Sequence, residues 1–333
     1  MPYSKIAGLG YYVPETVVTN QDLEKIMDTS DAWIQERTGI RERRFFTYGT
    51  DSIASMAAHA SRQAIERAGL QPGDIDFIIL ATITSDYYFP GDGVLLQREL
   101  GLETIGALDV KNQCSGFIYA LSVGDQFVRS GMYKNILVVG AEIQSTFLDK
   151  STEGRNVAVI FGDGAGAVVL QATDSEDHRI LSTHLHADGR YAEDLYVKGP
   201  GGSRPDRWFA PDMLENGDME VKMNGSAVFK HAIQRFPEVI QEALDANGYT
   251  TSDISLLVPH QANLRISEYV RQKMGLSEDK VVNNIQHYGN TTAASIPIAL
   301  TEAWEAGRVQ PGDLICLAAF GSGFTWASAL IRW

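Results

Sequence analysis

One pattern occurs twice in this chain. Ala64-Ile65-Glu66-Arg67-Ala68-Gly69 runs through a short loop into Asp74-Ile75-Asp76-Phe77-Ile78-Ile79, and Ala243-Leu244-Asp245-Ala246-Asn247-Gly248 runs likewise into Asp253-Ile254-Ser255-Leu256-Leu257-Val258, at an offset of 254 − 75 = 179. In each copy a glycine closes a helix and an apolar run follows as a buried strand. Two further matches keep the same order. Phe161-Gly162-Asp163-Gly164-Ala165-Gly166 is echoed by Phe320-Gly321-Ser322-Gly323 at 320 − 161 = 159, and a strand-to-helix turn at Cys114 by one at Asn290 at 290 − 114 = 176. Loop-length changes between copies account for the spread. The pattern predicts two α/β halves of one topology packed as a pseudo-dimer. The halves are read as 1–172, carrying Cys114, and 173–333, carrying His260 and Asn290. The stretch 173–220, charged and containing Gly199-Pro200-Gly201-Gly202-Ser203, reads as an excursion from the second half.

The turn at Cys114 carries the chemistry. Ile105 to Val110 is apolar and extended, whereas Phe117 to Arg129 places apolar residues at Phe117, Ile118, Leu121, Phe127 and Val128, so the period changes from strand-like to helix-like across the cysteine. A helix N-terminus offers unpaired N–H groups and partial positive charge, both favouring the thiolate, which is the nucleophilic form. A lone cysteine is more often a buried structural residue, so the weight comes from its companions. Asn290 is expected at the place in the second half that Cys114 holds in the first. His260 follows the strand Ile254 to Val258, at the end where open α/β sheets bind ligands. Two halves facing across a pseudo-twofold focus Cys114, His260 and Asn290 on one cavity.

Composition narrows the function classes. The 333 residues carry 28 Lys and Arg against 42 Asp and Glu, a net charge of −14, which argues against general nucleic-acid binding. Two cysteines, Cys114 and Cys316, are too few for a secreted disulfide framework. No apolar run reaches membrane-spanning length and Met1 to Pro14 reads as a strand, not a signal peptide, so the cytoplasm is the expected compartment. Cys316 lies in the apolar run Leu314 to Ala319 and reads as inert core. His184 and His186 share one face of a strand with no third metal ligand near in sequence, and no metal is expected. Val157 to Leu170 reads as two short extended runs around the glycines.

Five motifs together resemble β-ketoacyl-acyl-carrier-protein synthase III, nearly end to end. They are Cys114-Ser115-Gly116-Phe117, His260-Gln261-Ala262-Asn263, Tyr288-Gly289-Asn290-Thr291-Thr292-Ala293-Ala294-Ser295-Ile296-Pro297, Phe320-Gly321-Ser322-Gly323-Phe324-Thr325-Trp326 and Asp31-Ala32-Trp33-Ile34-Gln35-Glu36-Arg37-Thr38-Gly39-Ile40, with Phe161 to Gly166 beside them. The resemblance implies a thiolase-like, five-layered αβαβα fold and a homodimer. It implies decarboxylating Claisen condensation of an acyl-CoA with malonyl-acyl carrier protein through an acyl-Cys114 intermediate, initiating fatty-acid synthesis. The alternative is a related enzyme of secondary metabolism with another acyl donor or a malonyl-CoA acceptor. The CoA thioester and the carrier-protein phosphopantetheine are substrates, so no cofactor is expected.

By the same resemblance Cys114 takes the acyl group, His260 and Asn290 stabilise the enolate, and the backbone N–H groups of Cys114 and Ser322 form an oxyanion hole. Thr29, Trp33, Arg37, Arg155, Gly225, Phe229 and Asn263 fall to CoA. Gln261, Ala262, Asn263, Leu264, Arg265 and Lys230 fall to the carrier protein, with Arg271 and Lys273 extending a basic patch, and Phe89 and Phe320 to the acyl pocket, Phe89 that of the partner subunit. Two positions depart from the family pattern. Ser322 stands where the middle of three glycines is usual, and Lys111-Asn112-Gln113 replaces small residues before the cysteine.

Overall fold

The computed structural model describes residues 2–202 and 207–333; Ser203 of the expected excursion lies outside the described residues. The strands are β1 (Tyr3–Tyr12), β2 (Thr16–Thr19), β3 (Glu42–Phe45), β4 (Phe77–Ala81), β5 (Gly106–Val110), β6 (Asn135–Glu142), β7 (Gly164–Thr173), β8 (Arg179–Ala187), β9 (Leu195–Tyr196), β10 (Lys222–Met223), β11 (Leu256–Pro259), β12 (Leu314–Gly321) and β13 (Thr325–Arg332). Five of them form one sheet in the order β1-β7-β6-β4-β5 and four form another in the order β11-β12-β13-β8. The orders mirror each other. β4 lies parallel to β6 as β11 lies parallel to β12, and β6-β7 and β12-β13 are both antiparallel pairs flanked by an antiparallel β1 or β8. Where β5 borders β4, the second half keeps only a parallel bridge between Leu257 and Val281.

Helices complete five layers. Ile53–Arg67 covers the outer face of the first sheet and Gly225–Asn247 that of the second, while Gly116–Arg129 and Ser295–Glu305 lie between the sheets. Phe117, Ile118, Leu121 and Val128 are wholly buried and share one core with Val168, Leu170, Ile315 and Leu317 of the two sheets. Each such side chain contributes about 1.5–3 kcal/mol on burial, whereas a helix cap contributes about 1. The sandwich between sheets, not the helix ends, therefore fixes where the helix after Cys114 begins. Val157 falls in a short helix, Arg155–Ala158, and the extended run starts only at Gly164, so the two-strand reading of 157–170 is corrected.

The register of the duplication also needs correction. The two strand-to-helix turns are short 3-10 segments, Gln113–Ser115 and Thr292–Ala294, and their first residues are, among the described residues, the two non-glycines with positive φ, 39° and 49°. Their offset, 292 − 113 = 179, equals that of the helix–strand units and of β6 and β12, 314 − 135 = 179. The counterpart of Cys114 is therefore Ala293, and Asn290 precedes it by three residues. The glycine-run match fails in the same way, because Phe320 sits within β12 opposite Trp326, at the place of Ala141 opposite Ala165.

Each turn packs on the other half's sheet: Gln113–Ser115 on β12, Thr292–Ala294 on β6. The approach is at backbone distance. A Cβ on Gly140 would lie 2.4 Å from the Ala293 carbonyl oxygen. Gly140→Ala is expected to destabilise the protein by about 1–3 kcal/mol, as overpacking of a core does. Gly189→Ala, with nothing within 4 Å of its new methyl, is the control; equal denaturant midpoints for both variants would contradict the backbone contact.

Candidate active site

Cys114 is buried on its 3-10 turn between β5 and the helix Gly116–Arg129. A Cβ on Gly321 would fall 2.6 Å from Cys114 Cβ and 3.0 Å from its Sγ, so β12 ends against the sulfur and only glycine fits there. The backbone N–H groups of Ser322 and of Cys114 itself bear on that sulfur. The thiol is nonetheless pushed up to about 12, first by burial and then by the charge of Glu142. The expected resting thiolate is corrected. A helix end supplies about 0.3–1 kcal/mol, less than one pKa unit, against burial effects of up to 3–5 units.

His260 follows β11, its N–H donating to the Ala318 carbonyl at 2.8 Å. Its Nδ1 lies 2.6 Å from Ser295 Oγ, and its Nε2 is buried without a partner. Burial alone lowers its pKa to about 3, so the imidazole is neutral. Asn290 is held as a strand would hold it, donating from N to the Ile160 carbonyl at 2.9 Å and accepting on O from Gly162 N–H at 3.1 Å. Its Oδ1 accepts from Thr292 N–H at 2.8 Å, which fixes the amide and turns Nδ2 into the donor left to offer. Ser295 Oγ also lies 3.0 Å from the Thr292 carbonyl. His260 and Asn290 are thus wired to the turn Thr292–Ala294, which packs against the turn of Cys114.

Two residues here escaped the sequence reading. Ser295 lay inside a recognised motif, but nothing in the sequence tied its hydroxyl to His260. Glu142 ends β6 fully buried, with Oε2 accepting from Thr84 Oγ1 at 2.6 Å and Oε1 unpartnered. Burial raises its pKa to about 8.

Away from the sulfur, the expected CoA residues divide. Arg37 and Arg155 both lie over the Trp33 ring, at 4.7 and 5.3 Å from its centroid. Arg155 donates to the Asp28 carbonyl beside Thr29, whose buried Oγ1 has no partner. Asn263 Nδ2 donates to the Arg37 carbonyl at 2.9 Å, which joins it to this cluster. Gly225 opens the long helix, and Phe229 one turn on lies under Arg265. Lys230 and Arg265 are exposed, Ala262 and Leu264 partly so, and Leu264 closes on Gly39. Gln261 is not a surface residue. It is 3% exposed and its amide is spent on Pro259 and Val282 carbonyls and on the N–H groups of Asn284 and Ile285, so its place in the carrier-protein set is corrected. Arg271 is held by Glu268 and drops from the basic patch. Phe89 is 79% exposed while Phe320 is enclosed with Phe324, so within one chain they do not build a single pocket. Cys316 is buried core, as expected, and among the described residues no group of three or more His, Cys, Asp or Glu could hold a metal ion. No helix among those residues is long and apolar enough to cross a membrane.

Known proteins are similar to this chain in sequence and fold. Residues 108–189 match the family model for 3-oxoacyl-[acyl-carrier-protein (ACP)] synthase III, and residues 244–333 the model for its C-terminal part. The chain is 46% identical to the β-ketoacyl-[acyl-carrier-protein] synthase III of Rhodospirillum centenum, over 99% of each chain, and 49% identical to that of Xanthomonas campestris, over 99% of this chain and 98% of the other. The crystal structure of 3-oxoacyl-[acyl-carrier-protein] synthase III from Aquifex aeolicus superimposes with a TM-score of 0.91 at 43% identity, covering 99% of this chain and all of the other. The chain belongs to the β-ketoacyl-acyl-carrier-protein synthase III family. It is an acyltransferase with the thiolase-like fold, and fatty-acid biosynthesis is the setting its family occupies.

The buried imidazole makes a pH prediction. Native His260 has its pKa lowered to about 3 from an ordinary 6.5. Between these values the unfolded chain binds the extra proton and the native one does not, so the His260 contribution is lost as pH falls from 6.5 towards 3. Denaturant titrations across this window should show wild type losing more stability than His260→Gln. Parallel pH profiles would mean that the native ring takes up its proton.

Proposed function

We propose that the chain condenses an acyl-CoA, with a short acyl group such as acetyl, with malonyl-acyl carrier protein to give a 3-oxoacyl-acyl carrier protein, the first carbon–carbon bond of fatty-acid synthesis. The observation that carries this reading is the facing pair of turns. One holds a sulfur backed by two N–H donors; the other organises two side chains, His260, whose Nε2 is buried without a partner, and Asn290, whose Oδ1 is spent on Thr292 N–H.

In the first step Cys114 Sγ attacks the thioester carbonyl, the bond from carbonyl carbon to CoA sulfur breaks, and the thiol proton leaves with CoA. The N–H groups of Cys114 and Ser322 receive the oxyanion. In the second, the malonyl carboxylate leaves as CO₂ and its bonding pair passes into an enolate, whose oxygen is met by His260 Nε2–H and Asn290 Nδ2–H. One such preorganised donor is worth about 2.7–4 kcal/mol in a site closed to water. The enolate carbon then attacks the acyl carbonyl, and Cys114 leaves as thiolate and regains a proton. A neutral imidazole serves if its proton is on Nε2. Ser295 Oγ lies 2.6 Å from Nδ1 and 3.0 Å from the Thr292 carbonyl, and the Nε2–H tautomer is the one in which the single hydroxyl proton is given to Nδ1.

Trp33 with Arg37 and Arg155 presents a flat aromatic face and two cations to a nucleotide carrying phosphates. Thr29, Gly225, Phe229 and Asn263 would line the rest of the CoA path. Exposed Lys230 and Arg265 would receive the acidic carrier protein against a chain that is itself acidic. No cofactor takes part in this scheme. We read the chain as halves 1–172 and 173–333, one supplying the nucleophile and the other the enolate donors. A homodimer accords with the bare edge strand β5, where Leu108 is 38% exposed, and with exposed Tyr87, Tyr88 and Phe89; Phe89 would then enter the partner's acyl pocket. The compartment we expect is the cytoplasm.

Intact-mass measurement after mixing with acetyl-CoA should show one acetyl adduct on the wild type and none on Cys114→Ala. His260→Ala should acylate normally while release of CO₂ from malonyl-acyl carrier protein falls about 10²–10³-fold, and Ser295→Ala should fall between. No adduct on wild type with acyl-CoAs of any length would end this reading, and unimpaired CO₂ release by His260→Ala would remove the role given to the imidazole. Substituting malonyl-CoA as acceptor tests the rival acceptor: turnover with it and none with the carrier protein would favour an enzyme of secondary metabolism.

A further inference from the structure

Ser322 does more than an oxyanion donor requires. A backbone N–H is all that donor must supply, and glycine would supply it equally. Here the side chain is engaged too: Ser322 Oγ donates to the Leu195 carbonyl of β9. β9 pairs with β10, Leu195 opposite Met223 and Tyr196 opposite Lys222. This ribbon closes directly on the start of the long helix. Asn224 donates from its N–H to the Asp194 carbonyl at 2.8 Å and from Nδ2 to Asp194 Oδ1 at 2.9 Å, while its own Oδ1 caps that helix. Gly225, Phe229 and Lys230 stand on the first turns beyond that cap.

The same residue reaches the nucleophile by two other routes. Its N–H bears on the Cys114 sulfur. Its carbonyl accepts from Thr325 Oγ1 at 3.1 Å, and that hydroxyl shares a hydrogen bond with Ser115 Oγ at 2.7 Å, next to the cysteine. Among the described residues, further ties between the turn and this part of the excursion fall on its far end. Phe324 exchanges backbone hydrogen bonds with Asp188 at 2.9 and 2.7 Å and stacks on Tyr191. They hold residue 324, whereas Ser322 itself is tied by its hydroxyl to Leu195 and by its carbonyl to Thr325 Oγ1.

We infer that Ser322 is a positioning residue whose hydroxyl couples the ribbon β9–β10, at the acyl-CoA entrance, to the oxyanion donor at Cys114. The inference rests on the reading of Cys114 and Ser322 given under Proposed function. Donor hydrogen bonds act steeply with placement, so a shift of this turn lowers acyl transfer without touching the His260 and Asn290 donors. A ligand that orders the ribbon thereby improves the hole it is about to use.

The experiment compares wild type with Ser322→Ala, which removes the hydroxyl at nearly constant size, and Ser322→Gly, which restores the family's residue. Acyl-Cys114 formation from acetyl-CoA is timed by rapid quench and intact mass. Decarboxylation of malonyl-acyl carrier protein is followed separately, and amide hydrogen exchange is read at residues 194–196 and 222–224. For Ser322→Ala the ratio of acylation rate to decarboxylation rate should fall about tenfold, mostly in kcat and not in KM for acetyl-CoA, with faster exchange in both ribbon segments. Ser322→Gly should behave like Ser322→Ala. An unchanged ratio with unchanged ribbon exchange overturns the coupling. So does a parallel loss of both steps with a lowered Tm, which is what a merely structural residue gives. Wild type that never acylates Cys114 fails the functional reading itself, whereas normal acylation in both wild type and variant fails only this inference.

Discussion

The structure depends on one reciprocal contact, made by backbone, between the two halves. The turn that carries Cys114 lies on the end of β12, and the turn that carries Ala293 lies on the end of β6. The distances permit no side chain at Gly321 against the sulfur or at Gly140 against the Ala293 carbonyl. Small side chains at these crossings let two sheets from separate halves bring their strand ends to one point. The surroundings of Cys114 are therefore never completed by its own half. Its second N–H donor, Ser322, and the side chains of His260 and Asn290 all come from the other.

Burial at that contact sets the electrostatics. It raises the Cys114 thiol, lowers the His260 imidazole and raises the Glu142 carboxyl. All three shifts favour the uncharged form, so the resting site holds a thiol and a neutral ring. In the proposed reaction charge would develop only during turnover, first on an oxyanion and later on an enolate. In surroundings poor in water a fixed donor acts on such a charge far more strongly than it would in solution. The site is built on unspent N–H groups, not on standing ions, and a helix end worth a fraction of a pKa unit is a minor contributor beside them.

Much of this was legible in the sequence because it is written in local periods. The helix–glycine–strand units and the turn at Cys114 both follow from patterns of about ten residues. What failed was whatever depends on register or on direction. Matching Asn290 to Cys114 missed by three positions because the equivalence lies in a backbone conformation, the positive φ of Gln113 and Thr292, which residue identity does not announce. Gln261 looked like a surface residue because it is polar and sits beside half-buried Asn263 and exposed Arg265, yet four backbone groups close around its amide. Glu142 gave no signal at all. A single acid ending an apolar strand reads as the start of a loop until the opposing turn is placed over it.

The corrected register explains why the halves diverged where they did. Adding the common offset, 142 + 179 = 321, makes Glu142 and Gly321 counterparts, as 114 + 179 = 293 makes Cys114 and Ala293. Each strand end faces the opposite turn: Gly321 faces Cys114, and Glu142 meets the N–H of Ala293. A side chain at 321 would occupy the space of the sulfur, so Cys114 demands glycine there. Ala293 makes no such demand, and β6 can end in a glutamate whose carboxyl is stored among threonine hydroxyls. Glu142 already raises the Cys114 thiol from across the crossing, and a cysteine at 293, on the turn whose N–H meets that carboxyl, would feel the same opposition to a thiolate. Two copies of one fold thus took unequal parts because a single crossing admits either a reactive sulfur with a bare backbone or a small residue with an acid, and not both.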